Sequence, residues 1–452
     1  MIRMMGRDET EIRNNIREEI VRFFELKESA ADRKFVPGKT KIQYAGPVVG
    51  QEEIGAFVSS LLDGWFGVGR QAAAFENAFS RYLGTSSSVL TNSGSSANLL
   101  AIAALRSRQA EKPLKAGDEV ITPACTFPTT FNAIIQNNLR PVLLDAELGT
   151  YNINPAHLEK ALSEKTRAIM LPHTLGNPNK MDAVMDFAEE HGLFVIEDTA
   201  DALGSEYKGK LAGSFGHMGT FSFYVAHQMT MGEGGAIALR DKSFEPIVRS
   251  LRDWGRNCAC SVCRVAVSPQ DFCPFRESAE KAAKGTPLDG YENRYLYSNI
   301  GYNLKPLEFQ AAMGIVQLKR LPEFIKKRRH NFEVLYEEFS GLEDCFVLPE
   351  ATENSKPAWF AFPLTIKEGA GFGRAEFVKW LEKCRIETRM LFAGNILMHP
   401  AYAGIDVRVA EPLSNSDTVL KNSLFLGVYP GITDEMLSYV SAKVREFVAA
   451  HK

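Results

Sequence analysis

Ile12, Ile16, Ile20 and Phe23 recur every three or four residues within residues 8–27, with charged residues between them, which is the pattern of one apolar stripe on a helix. The stretch AADRKFVPGK follows as a linker, so residues 1–45 are expected to form an N-terminal helical arm. From about residue 86 to 240 the pattern changes. Short β-rich runs (SSSVLTN, DEVITPA, RPVLLDAE, RAIMLPHT, LFVIEDTA, TFSFY, GAIAL) alternate with helical stretches such as NPAHLEKALSE and KMDAVMDFAEEHG. Such alternation predicts an α/β fold with a mostly parallel central sheet and helices on both faces. A long helical stretch (PLEFQAAMGIVQLKRLPEFIKKRRHNFEVLYEEFS) then opens a region of mixed strand and helix, read as a smaller C-terminal α+β domain over residues 305–452. The large domain is placed at residues 46–304, with a cysteine-rich insert at 256–290.

A chain of 452 residues buries a large core, and its net charge of -3, with acids and bases interspersed, leaves no electrostatic footprint for nucleic acid. The N-terminal stretch lacks the apolar centre of a signal peptide, and no apolar run reaches transmembrane length. A cytoplasmic protein with no nucleic-acid or membrane partner is expected. The seven cysteines alter this bland picture, because Cys258, Cys260, Cys263 and Cys273 crowd into one segment. In a cytosolic protein that crowding points to metal rather than to disulfides. Such spacing suits an iron–sulfur unit, a zinc site or simply reduced surface thiols. Cys125, Cys345 and Cys384 stand apart and are read as buried thiols.

Ligands of open α/β sheets bind beyond the carboxyl ends of the strands, so the residues following each run carry the chemistry. After SSSVLT comes Asn92-Ser93-Gly94-Ser95-Ser96-Ala97-Asn98, a small-residue turn that opens a helix and suits a phosphate. Phe127 follows ITPACT where an aromatic ring can stack on a flat group, although a core phenylalanine fits as well. LFVIED ends on Glu197-Asp198, a carboxylate placed to keep a pyridine nitrogen protonated or merely to cap a turn. Then Ser222 precedes His227 by five residues, and Gly232-Glu233-Gly234-Gly235 follows.

In this order the motifs resemble the sugar aminotransferase/dehydratase family of fold-type-I pyridoxal phosphate enzymes, from about Tyr44 to the C-terminus and including Gly301-Tyr302-Asn303. The resemblance implies that Ser95 and Ser222 serve the cofactor phosphate and that Asp198 holds the ring nitrogen; Gly94 in the small-residue turn and Phe127 are carried with them as cofactor-binding candidates. It also implies that Asn303 reaches the cofactor phosphate of a partner subunit, hence a homodimer. Where the family carries the lysine that binds the cofactor covalently, this chain has His227, a proton carrier near neutral pH. Within Phe-Tyr-x-Ala-His-x-x-Thr-Met-Gly-Glu-Gly-Gly, that histidine resembles the 4-keto-6-deoxy-sugar 3-dehydratases. Those enzymes use pyridoxamine 5'-phosphate (PMP, the amine form of PLP), and the histidine takes the proton from its C4′ carbon.

The segment Arg252-Asp253-Trp254-Gly255-Arg256-Asn257-Cys258 resembles the iron–sulfur branch of these dehydratases, the CDP-6-deoxy-4-keto-glucose 3-dehydrases. That branch implies a cluster, 2Fe-2S in type, held here by Cys258, Cys260, Cys263 and Cys273, and an electron-donating reductase. The position of one cluster cysteine of that branch is Ala200 here, so Cys273 is taken as its substitute. Arg389, in the dehydratase-like stretch 388–395, is the candidate for an anionic group of the nucleotide-linked 4-keto-6-deoxy sugar. The expected reaction is C3 deoxygenation to a 3,6-dideoxy sugar. The alternatives are a cluster-free dehydratase that recycles its cofactor through glutamate, and a non-catalytic binding protein on the same fold.

Overall fold

The computed structural model describes residues 8–29, 34–258, 260, 263, 272–273 and 284–451. Residues 30–33 of the expected linker and most of the expected cysteine-rich insert lie outside the described residues. The expected N-terminal helix is Glu9–Ser29. Arg13 ties it to the next helix through the Leu62 carbonyl and the Asp63 carboxylate, while Phe23 on its apolar stripe stays 59% exposed.

Every β-rich run of the sequence becomes a strand. β1 (Ser87–Thr91), β2 (Glu119–Pro123), β3 (Arg140–Leu144), β4 (Thr166–Pro172) and β5 (Phe194–Asp198) come first. A short hairpin follows, β6 (Glu206–Tyr207) with β7 (Lys210–Leu211), then β8 (Met218–Ser222) and β9 (Gly235–Leu239). Later in the chain lie β10 (Phe346–Val347), β11 (Ser355–Lys356), β12 (Ala361–Ile366), β13 (Arg408–Val409) and β14 (Ser423–Gly427). The large sheet runs β1-β9-β8-β5-β4-β2-β3-β13. Its centre is parallel, and β9 alone runs antiparallel to its neighbours β1 and β8. Strands such as β2, β8 and β9 are buried along their whole length, which is why they read as continuous apolar runs rather than alternating ones. One helix expectation is corrected: NPAHLEKALSE makes only a 3-10 turn, Pro155–His157, and the four-residue helix Leu158–Ala161. Pro155 fixes a start, with Asn154 capping it, but too few residues follow to extend it.

A second sheet, β10-β12-β14, forms the smaller C-terminal unit. The helix Glu308–Phe339 links the two. Its first half packs on helices Gln51–Leu62 and Arg70–Leu83 of the large unit. In its second half Phe332, Leu335 and Phe339 enter the core of the small unit with Phe362, Leu424 and Val440.

Two glycines set how closely the first helix of the sheet approaches the β8–β9 pair. A Cβ on Gly94 would lie 2.4 Å from the Cβ of Ser222, and one on Gly235 would lie 2.3 Å from the Ser93 carbonyl oxygen. Ser93 caps the helix Gly94–Arg106 by accepting the Ser96 N–H at 3.1 Å. The turn after β1 therefore touches the end of β8, and only glycine allows it. Gly94→Ala is expected to lower stability by about 1–3 kcal/mol through overpacking, measured by urea unfolding; an unchanged midpoint would refute this close approach.

Candidate active site

The carboxyl ends of β2, β4 and β5, the end of β8 and the Gly94–Arg106 helix start converge on a cavity of about 300 Å³. Among its lining residues are Gly94, Ser95, Phe127, Asp198, Ser222, His227 and Arg389, so seven residues expected from the sequence share one space. A groove of about 770 Å³ opens beside Phe194, His217 and Arg240, at the amino ends of the parallel strands. The strand ends that carry ligands in such sheets are those of the smaller cavity.

Asp198 is 6% exposed, and its carboxylate is held from three sides. Asn98 Nδ2 donates to Oδ2 at 2.8 Å, Thr130 Oγ1 donates to the same oxygen at 2.7 Å, and the Ala200 N–H donates to Oδ1 at 3.2 Å. Asn98 is itself fixed, because the Thr220 hydroxyl donates to its carbonyl oxygen. Asn98 and Thr130 were missed in the sequence. Asn98 lies one helical turn beyond Ser95 and Thr130 one turn beyond Phe127, so helical spacing from the expected residues was the available signal.

His227 stands across the cavity on the loop after β8, its ring 5.5 Å from that of Phe360. Burial and the nearby Arg328 cation push its pKa down to about 3, so the imidazole is neutral at pH 7. Its Nδ1 is sealed from solvent and, among the described residues, has no hydrogen-bond partner; it lies 3.5 Å from Oδ1 of Asp201. Asp201 is pushed up to about 8 by burial and by the Asp198 carboxylate, against the Leu175 N–H and Arg328. Arg328, reaching in from the long helix, is 1% exposed and donates to the carbonyls of Ala226, His227, Trp359 and Phe360. Asp201 lies three residues past Asp198, within sight of the sequence; nothing in the sequence marks Arg328.

Arg389 also lines the cavity, its guanidinium 4.4 Å from the Tyr44 ring centre and 2.7 Å from Glu387. Asn303 is not among the lining residues: it is exposed, and its side-chain oxygen accepts from Lys305 Nζ at 2.6 Å. Ala200, where the resemblance looks for a cysteine, lines the cavity instead. As expected, Cys125, Cys345 and Cys384 are buried.

A phosphopyridine fits these donors. A helix N-terminus with Ser95 and Ser222 suits its phosphate, a carboxylate held by three donors suits its ring nitrogen, and Phe127, 49% exposed, brings an aromatic ring to the cavity. The thiols fit a metal centre less completely. Cys258 Sγ and Cys260 Sγ are 3.5 Å apart, and burial followed by the thiols of Cys258, Cys263 and Cys273 pushes Cys260 up to about 12. The four therefore share one neighbourhood. Among the described residues, however, no three histidine, cysteine or acidic side chains are arranged to hold a metal ion.

The sheet order, the small C-terminal unit and the cavity at the strand ends define a fold-type-I pyridoxal phosphate fold. The chain belongs to the DegT/DnrJ/EryC1/StrS aminotransferase family, matched over residues 47–267 and 276–445. It is 43% identical over 437 residues to the lipopolysaccharide biosynthesis protein RfbH of Salmonella typhimurium, covering 96% of this chain and 98% of that one. It is 45% identical over 416 residues to the dTDP-4-dehydro-2,6-dideoxy-D-glucose 3-dehydratase of Saccharopolyspora spinosa, covering 92% of this chain and 88% of that one. Among solved structures, the Escherichia coli GDP-4-keto-6-deoxy-D-mannose-3-dehydratase with bound hydrated PLP superposes with a TM-score of 0.78 at 31% identity, over 89% of this chain and all of the other.

Thr130→Val keeps shape but removes one of three donors to the buried Asp198 carboxylate. It is expected to cost about 1–3 kcal/mol in chemical unfolding; no loss would mean that the hydroxyl does not hold Asp198.

Proposed function

We propose that this chain is a PMP-dependent 3-dehydratase acting on a nucleotide-linked 4-keto-6-deoxy hexose. The observation that carries the reading is His227: it stands in the cavity with Asp198 and Ser222, and none of the described residues lining that cavity is a lysine. The family's covalent hold on its cofactor is thus replaced by a neutral imidazole able to accept a proton. Relatives named as sugar-nucleotide 3-dehydratases support the same class.

When bound, PMP would supply the amine that joins the sugar's keto carbon and a conjugated ring that takes up the electron pair left when the C4′ proton is removed and gives it up as the C3 hydroxyl leaves. The residues of this chain do the rest. Gly94, Ser95 and Ser222 bind the phosphate, Asp198 keeps the ring nitrogen protonated, and Phe127 covers the ring. His227 moves the proton, and Arg389 binds an anionic group of the nucleotide. Asn303, exposed and away from its own cavity, serves the cofactor phosphate of a second subunit, and Ile300 beside it is 97% exposed, as suits a homodimer. The domain limits at residues 45 and 304 and the cytoplasmic location belong to the same reading.

The reading extends to the cysteines. Cys258, Cys260, Cys263 and Cys273 hold an iron–sulfur cluster that receives electrons from a reductase, a role supported by their shared neighbourhood. A second reading keeps the dehydratase without a cluster and recycles the cofactor through glutamate; it is favoured by the lack of a three-ligand site among the described residues.

Two measurements test these readings. His227→Asn should keep PMP bound but slow dehydration roughly a hundredfold or more. A near wild-type rate, or cofactor fixed to a lysine after borohydride treatment, overturns the base assignment. Anaerobically purified protein should contain iron and acid-labile sulfide and bleach on reduction, whereas zinc, or no metal at all, leaves the cluster-free dehydratase.

A further inference from the structure

Resting on His227 as the proton-transfer base, we infer that Asp201 is its positioning residue: the carboxylate accepts the Nδ1–H, so that Nε2 is the nitrogen that takes the proton. Three observations meet at this point. His227 Nδ1 is the ring nitrogen sealed from solvent, and among the described residues it has no hydrogen-bond partner. Asp201 Oδ1 stands 3.5 Å from it, and the two side chains are each 14% exposed. The separation is long for a hydrogen bond, and contacts between catalytic groups commonly tighten once a site is filled.

The loop carrying His227 is also held from behind. Arg328 donates to the carbonyls of Ala226 and His227, at 3.2 and 3.0 Å, and to those of Trp359 and Phe360 in the small unit. With the backbone fixed, the ring retains mainly rotation about its side-chain bonds, and Asp201 selects one orientation.

A neutral imidazole carries one proton, on either nitrogen, and the proton must sit on Nδ1 if Nε2 is to act as the base. An ionised Asp201 enforces that tautomer and then stabilises the imidazolium formed when Nε2 accepts a second proton. A protonated Asp201 does the reverse, since its O–H donates to Nδ1 and leaves the hydrogen on Nε2. Burial and Asp198 favour the protonated form, whereas the Leu175 N–H and Arg328 favour the ionised one. Activity is therefore expected to rise with pH as Asp201 loses its proton. Among the described residues, the charged and titratable groups around the pair are Arg328 from the long helix, Asp198 from β5, Tyr224 from the His227 loop, and Tyr44, His173 and Arg389 on the cavity wall.

Asp201→Asn is nearly isosteric, but its amide donates to Nδ1 and holds the wrong tautomer. The expected result is a kcat about a hundredfold or more lower, with KM and PMP affinity within about twofold, and loss of the acid limb of the kcat profile. The double variant with His227→Asn should be no slower than His227→Asn alone, because Asp201 acts through the imidazole. A readout independent of turnover is the tautomer itself. In nitrogen-15 spectra of histidine-labelled protein above pH 8, with the His227 signal assigned from its absence in His227→Asn, wild type should carry the proton on Nδ1 and Asp201→Asn on Nε2. A wild-type proton on Nε2 overturns the inference. So does an Asp201→Asn variant with wild-type kcat beside an inactive His227→Asn, or one that loses PMP binding along with kcat. If His227→Asn keeps the wild-type rate, the base reading fails instead, and the tautomer measurement still decides whether Asp201 orients the ring.

Discussion

The buried carboxylate of Glu197 is the contact on which the active end of the sheet depends. It is 0% exposed and accepts from four donors: His173 at 2.9 Å and the N–H groups of Gly213, Phe215 and Gly216 at 2.7–2.8 Å. A charge so deeply buried is tolerated only when its hydrogen bonds are filled, and breaking such a set leaves an uncompensated ion. The network joins the end of β4 to β5 and to the turn that leads into β8. Because successive strand residues face opposite ways, fixing Glu197 on one face aims Asp198 at the cavity on the other. The loop after it then delivers Ala200 and Asp201 to the same wall.

The long helix Glu308–Phe339 imposes the second constraint. Its two halves pack on different cores, and Arg328 lies where they meet. An arginine buried to this degree, with no salt bridge to a carboxylate among the described residues, is held by four backbone carbonyls. Two belong to the His227 loop and two to the strand entry of the small unit, so the position of His227 is coupled to the seating of that unit. The small unit also supplies Phe360, Arg389 and Phe425 to the cavity. The cavity is thus a joint between two cores, and the groups that act in it are placed by both.

The replacement of lysine by histidine changes what the surroundings must provide. A lysine can be located by its covalent bond to the cofactor, whereas an imidazole is located only by packing and hydrogen bonds. Phe360 beside the ring and Arg328 behind the loop supply that restraint here, and Asp201 Oδ1 stands 3.5 Å from Nδ1. The low-dielectric setting that keeps the imidazole neutral also strengthens its response to a nearby charge.

The sequence by itself determined the strands, because residues buried on both faces of a parallel sheet must be apolar throughout, and it marked the motifs at the strand ends, because ligands of open α/β sheets bind there. Gly94, Ser95, Phe127, Asp198, Ser222, His227 and Arg389 were legible in this way, and they meet in one cavity. The sequence overstated the helix at NPAHLEKALSE, where apolar spacing is present but the segment is too short to propagate. Only the tertiary structure decided the partners of these residues. Asn98 and Thr130 reach Asp198 from helices 100 and 68 residues away in sequence, and Arg328 reaches the His227 carbonyl across 101 residues. A hydrogen bond over such a separation leaves no periodic trace along the chain, since it depends on where two independently formed elements come to rest.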